Sequence, residues 1–154
     1  ERKNNVIFNN YNILKGKNTF NTKPYKEYKK KFLYKKLVNN WPDKISTSCI
    51  SISSQLLKKF YQDTNPYLWK YLAIDIQIAI FYNYHSKIEY VETTLTSKRI
   101  HSSNLDSTFS KIFSKIYWMR RMEQHEYYQK INSNKNYFTL DFLLTKFIFL
   151  VFRI

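Results

Sequence analysis

Residues 72–81 read Leu-Ala-Ile-Asp-Ile-Gln-Ile-Ala-Ile-Phe. Ile74, Ile76, Ile78 and Ile80 fall on one parity, while Ala73, Asp75, Gln77 and Ala79 fall on the other. β-Branched residues alternating with small or polar ones are the pattern of a strand with one buried face. Asn83-Tyr84-His85-Ser86 supplies turn-tolerant residues, and residues 88–96 are again rich in β-formers. The stretch predicts a central antiparallel hairpin over about 72–96. A competing reading takes Asn65 as a helix cap and Pro66 as the first helical residue, with a helix running through Ala79. The unbroken isoleucine alternation favours the strand.

Helical signals flank this hairpin. Ser53 or Ser54 is placed to cap a short helix over 55–62, with Leu56, Leu57 and Phe60 inward. Residues 45–53 alternate loosely enough for a first strand. Asn104 can cap a long basic helix over about 104–131, in which Leu105, Phe109, Ile112, Phe113 and Ile116 recur at helical spacing. Thr139 can cap an apolar C-terminal helix over about 139–152, with Leu143, Leu144, Phe147, Ile148 and Val151 on one face. These elements predict an α+β fold: a small antiparallel sheet packed by helices, in a single domain over 41–154. Residues 1–40 are set apart as a basic N-terminal extension. Residues 1–21 lack sustained periodicity and predict an extended arm that orders on a partner. From Pro24 a helix is expected, with Tyr25, Tyr28 and Phe32 as an aromatic stripe among Lys26, Lys29, Lys30, Lys31, Lys35 and Lys36.

The net charge is +15, and its layout says more than its size. Residues 1–40 carry eleven basic side chains against Glu1 and Glu27, residues 41–96 carry five of each sign, and residues 97–135 carry eight basic against three acidic. A neutral centre between two basic flanks suggests a folded core whose surroundings face a polyanion. Two clusters interleave basic residues with aromatics. One spans Lys26 to Lys36. The other holds Lys111, Lys115, Trp118, Arg120 and Arg121. Lysine neutralises phosphate as a point charge, arginine binds it bidentately, and tryptophan stacks on unpaired bases. These eleven residues are the expected RNA contacts: Lys26, Lys29, Lys30, Lys31, Lys35, Lys36, Lys111, Lys115, Trp118, Arg120 and Arg121.

Catalytic chemistry finds little purchase. With Gly16 the single glycine, no Gly-rich loop can cradle a nucleotide. His85, His101 and His125 show no metal-ligand spacing, and lone Cys49 reads as a buried thiol. No catalytic residue, metal or cofactor is expected, and no motif ties the chain to a particular family. The expectation is a non-enzymatic rRNA-binding protein, partnered by rRNA and by neighbouring proteins of a large assembly. Tyr, Phe, Lys, Asn and Ile, which have A/T-rich codons, dominate the composition. An A/T-rich organellar genome is one source of such bias and an A/T-rich nuclear genome is another; on the first, the expected assembly is a mitochondrial ribosome. The alternative is an accessory subunit of a mitochondrial inner-membrane complex, touching the membrane through the C-terminal helix. Residues 138–152 fall short of the about 20 apolar residues of a span and contain Asp141 and Lys146. That favours a terminal helix docked on the sheet.

Overall fold

The computed structural model describes residues 6–21, 46–85, 88–99, 112–132 and 139–152. Its strands are β1 (Val6–Lys15), β2 (Asn18–Asn21), β3 (Ile50–Ser51) and β4 (Ile88–Arg99). Its helices are α1 (Ser54–Thr64), α2 (Ile74–Tyr84), α3 (Lys115–Asn132) and α4 (Leu140–Phe152), with 3-10 turns at Thr47–Cys49 and Pro66–Leu68. The α+β class stands.

β1 is the centre of the sheet. Its C-terminal half pairs antiparallel with β2 and its N-terminal end antiparallel with β3. Its other edge takes β4 in parallel, from Val6 opposite Ile88 to Leu14 opposite Arg99. The arm expected over 1–21 is therefore corrected for residues 6–21, which form a hairpin inside the domain. The signal lies at residues 15–18. Gly16 adopts φ +61°, a conformation costly for a residue with a Cβ, so Lys15-Gly16-Lys17-Asn18 closes a two-residue turn. Asn9 and Asn10 resemble loop residues, yet they sit mid-strand, where the β1–β4 register shifts. There Asn10 Nδ2 donates to the Glu92 carbonyl at 2.8 Å, and Asn9 Nδ2 donates to Thr96 Oγ1 at 3.3 Å. Side-chain amides serve the bulge where the backbone ladder fails.

The second correction concerns the hairpin over 72–96. Its second half is β4, but its first half is helix α2. The isoleucine parity misled because α2 is buried nearly all round, so no face of it needs to be polar. One side of α2 places Ile78, Ala79, Phe81 and Tyr82 against Val6 and Phe8 of β1 and Leu56 and Phe60 of α1. The other side packs Ile76 and Ile80, with Leu72, against Tyr127 of α3. The polar residues of the stretch are absorbed locally. Asp75 accepts from its neighbour Ile76 N at 2.9 Å and from Thr47 Oγ1 at 3.1 Å. Buried Gln77 donates to the carbonyl of Leu72 at 2.8 Å. Pro66 starts a 3-10 turn, and the competing long helix from Pro66 is not formed either.

Other local signals read true. Ser53 caps α1 by accepting from Leu56 N at 3.3 Å, and Asn65 closes it in the left-handed region. Leu56 and Phe60 are buried, as their spacing requires. The first strand expected over 45–53 shrinks to β3. The basic helix expected from about 104 begins, among the described residues, at Lys115. Ser114 Oγ accepts from Tyr117 N at 3.1 Å, as a cap does, and Ile112 and Phe113 are exposed in the turn before it. Thr139 caps α4 as expected, accepting from Phe142 N at 3.1 Å. Cys49 is buried, with Sγ 3.1 Å from Thr96 Oγ1.

Candidate functional site

Lys26, Lys29, Lys30, Lys31, Lys35, Lys36 and Lys111 lie outside the described residues, so the structure places four of the eleven expected contacts: Lys115, Trp118, Arg120 and Arg121. All four are on α3. Lys115 is exposed and Arg120 half-buried. Trp118 is half-buried, and its Nε1 donates to the Ile112 carbonyl at 2.7 Å, which holds the indole over the start of the helix. Arg121 has a different role from the expected one, and its placement is corrected. It turns inward, donating through Nε to Asp141 Oδ1 at 3.0 Å and through Nη2 to the same oxygen. Nη1 donates to the Tyr117 hydroxyl at 3.0 Å. Little of the guanidinium is left for phosphate.

The Arg121–Asp141 pair joins α3 to α4, one turn from a second polar contact. His125 follows Arg121 by four residues and Thr145 follows Asp141 by four, so each pair shares a helix face. His125 Nε2 lies 3.6 Å from Asp141 Oδ2 and 3.4 Å from Thr145 Oγ1. The Thr145 hydroxyl donates to the Asp141 carbonyl at 2.8 Å. His125, Asp141 and Thr145 are all buried. An Arg–Asp–His cluster resembles acid–base machinery, but its His125 and Asp141 are buried, and only Arg121 is partly exposed. Among the described residues no group of three or more His, Cys, Asp or Glu side chains is arranged to hold a metal ion. What the cluster does is fasten two helices through charge and hydrogen bonds.

Burial pushes the His125 pKa down to about 4, outweighing the opposing Asp141 charge, while the Arg121 charge lowers it further. The imidazole is therefore neutral in the fold, whereas in the unfolded chain it protonates near 6.5. Between those values the unfolded state binds a proton that the fold refuses, so stability falls as pH drops from about 6.5 towards 4. The loss from pH 7 to pH 5 is about 2 kcal/mol. Urea unfolding of the wild type and of His125→Gln at both pH values checks this. The variant is expected to lose most of the difference, and an equal loss in both proteins would remove His125 as its source.

α3 is anchored on its other sides as well. The Glu123 carboxylate accepts three backbone N–H groups from the segment leading into α2: Lys70 at 3.1 Å, Tyr71 at 2.6 Å and Leu72 at 2.8 Å. It satisfies donors just ahead of the first turn of α2, where a negative charge is also favoured. Tyr127 donates from its hydroxyl to the Gln77 carbonyl at 3.2 Å and meets Trp69 edge-on at 5.4 Å, and burial raises its pKa. Lys130 Nζ donates to the Thr64 carbonyl at 3.1 Å. The charged inner side chains of α3 thus serve the fold.

The outer side of α4 departs furthest from expectation. The reading that put Leu143, Leu144, Phe147, Ile148 and Val151 inward, against the sheet, is corrected. α4 packs on α3 through Asp141, Phe142 and Thr145, whereas Leu143, Leu144, Phe147 and Val151 face outward, together with Leu140 and Leu150. A sequence signal for this existed. The only spacing on α4 that complements Arg121 and His125 is that of Asp141 and Thr145, and satisfying it turns the leucines out.

No family model, no curated protein and no solved structure matches this chain.

Proposed function

We propose that this chain is a structural RNA-binding protein, without enzymatic activity, that takes its place in a mitochondrial ribosome beside rRNA and neighbouring proteins. The observation that carries the proposal is the segregation of charge. On α3, charges are spent on partners within the fold: Arg121 on Asp141, Glu123 on three amides, and the exposed Lys130 on the Thr64 carbonyl. The excess of positive charge sits in the flanking segments, above all in residues 23–36. A run of lysines interleaved with tyrosine and phenylalanine suits a phosphate backbone with unpaired bases beside it. The compartment rests on composition alone, through the A/T-rich codon preference.

Binding of the full chain to an rRNA fragment across a salt series tests this. Each phosphate neutralised contributes about 0.7 to 0.9 to the log–log salt slope. Replacing Lys29, Lys30, Lys31, Lys35 and Lys36 with glutamine is expected to flatten the slope by about three to five units and to weaken binding across RNA sequences alike. Lys115→Gln with Arg120→Gln is expected to change it by at most about two. Arg121 is left out of the set, since its loss acts on the fold. An unchanged slope in the five-lysine variant removes residues 29–36 from the interface and takes away the main support of the proposal.

A further inference from the structure

α4 is built inside out for a helix in water. Its polar residues Asp141 and Thr145 are buried against α3, at 5% and 0% exposure. Its large apolar residues Leu140, Leu143, Leu144, Phe147, Leu150 and Val151 are between 46% and 74% exposed. At about 100° per residue these six side chains fall in one stripe roughly 120° wide, on the side of the helix turned away from Asp141 and Thr145. No polar residue interrupts the stripe. Buried polar pairing beneath an apolar exterior is the arrangement of helices whose outer solvent is hydrocarbon.

We infer that the outer face of α4 docks on the surface of an anionic lipid bilayer, with the helix lying in the plane of the headgroup–acyl boundary. Length sets the orientation. At about 1.5 Å per residue α4 is about 20 Å long, against a hydrocarbon core of about 30 Å. No described helix is long and apolar enough to cross a membrane. A helix of this described length, with a continuous apolar stripe on one face and polar residues on the other, is suited to lie in the interface with that stripe about 5–10 Å deep.

Lipid fits this face better than a second copy of the chain. Six partly exposed side chains on one face of a single short helix fall short of the roughly 800 Å² of accessible surface per partner that a stable protein interface buries. Protein interfaces also carry about one hydrogen bond per 100–200 Å², and the stripe offers no side-chain donor or acceptor. Hydrocarbon asks for neither. Charge supplies the second term. A chain of net charge +15 is drawn to anionic headgroups, and exposed Lys146 borders the stripe. Its ammonium lies 5.5 Å from the centre of the Phe142 ring, and a long lysine stem can carry that head to the headgroup level when the stripe is immersed. This inference stands apart from the RNA proposal, because it uses a different surface and a different ligand.

The test is flotation of the full-length, nuclease-treated chain with vesicles of phosphatidylcholine alone and of phosphatidylcholine with 30% phosphatidylglycerol, at low and high salt. The comparison protein is the variant Leu143→Ser, Phe147→Ser, Leu150→Ser, which removes exposed apolar groups and leaves Asp141 and Thr145 in place. Thermal melting of both proteins checks that the variant is folded. The wild type is expected to float with the anionic vesicles and to retain part of its binding at high salt. The folded variant is expected to bind at least tenfold more weakly and to lose its residual binding in high salt. Failure of the wild type to float with anionic vesicles overturns the inference. Equal flotation of the two proteins also overturns it, by assigning the attraction to the basic flanks. A wild type that sediments as a dimer without lipid, beside a monomeric variant, assigns the face to a second copy instead. Should the triple variant fail to fold, Leu150→Ser alone, at the most exposed position, carries the comparison with a smaller expected loss of about threefold.

Discussion

Ala79→Lys is expected to unfold the protein as completely as Ile78→Lys. The two residues are neighbours, buried to 2% and 5% exposure. On a strand with one wet face, adjacent side chains point to opposite sides, so one of the two substitutions would be tolerated. On α2 both side chains enter the same core cluster. A lysine at either position must bury an unpaired ammonium or expel the helix, at a cost of several kcal/mol against a total stability of about 5–15 kcal/mol. Asp75→Lys is expected to be milder, at about 1–2 kcal/mol. It removes the acceptor for Ile76 N and Thr47 Oγ1 and sets a positive charge in the first turn of the helix. Soluble yield, far-ultraviolet circular dichroism and urea midpoints report the three variants. A folded, near-wild-type Ala79→Lys beside an unfolded Ile78→Lys would return residues 74–80 to a strand.

That contrast marks what sequence periodicity can deliver. It identifies an element by the boundary between its wet and dry faces. α1 has such a boundary, and Leu56 and Phe60 were readable as its buried side, along with its Ser53 cap. α2 lies between the sheet and α3 and has almost no wet face, so the residues that alternate there answer to packing on two sides at once. For β1 the obstacle was chemical. Asn9 and Asn10 favour turns by composition, but a bulge consumes the same side-chain hydrogen bonds that a turn would. α4 had a readable boundary, and its ends and cap were legible. Its inward direction was carried by the spacing of Asp141 and Thr145 and not by the hydrophobic pattern, which marks which residues are alike and not which of them find partners. Arg121 was misplaced for the same reason: whether a charge meets RNA or an internal carboxylate depends on where Asp141 is brought, twenty residues further on.

Asp141→Ala should cost about 3–5 kcal/mol, the largest effect expected from removing a single polar group here. The substitution strips Arg121 of its carboxylate and leaves a guanidinium that is mostly covered by protein and still donates to the Tyr117 hydroxyl. It also takes a negative charge away from the first turn of α4, where that charge interacts favourably with the helix end. α4 is then held mainly by Phe142 and Thr145, and detachment of the helix from α3 is the expected local result. A double-mutant cycle separates the pair from its surroundings. Arg121→Met with Asp141→Leu replaces both charges by apolar groups of similar size and is expected to recover most of the loss, since neither partner is left buried and alone. Urea unfolding at pH 7 measures Asp141→Ala beside the four proteins of the cycle: the wild type, Arg121→Met, Asp141→Leu and the double variant. A double variant as unstable as the sum of the two single ones would mean that Arg121 and Asp141 act independently, and the geometry gives no room for that.

The parallel pairing of β1 with β4 has a consequence for how the chain is made. Val6 leaves the ribosome well ahead of its partner Ile88, which is added only after the whole intervening chain has followed. Until then the central strand of the sheet has its β2 hairpin and, later, the short β3, but one whole edge is open. Contacts so far apart in sequence form slowly, because closing the loop costs entropy before any contact rewards it. The sheet therefore cannot be completed strand by strand as β1 emerges. It waits for residues 88–99, and during that wait the β1 edge is the surface through which a nascent chain would pair wrongly or be met by a chaperone.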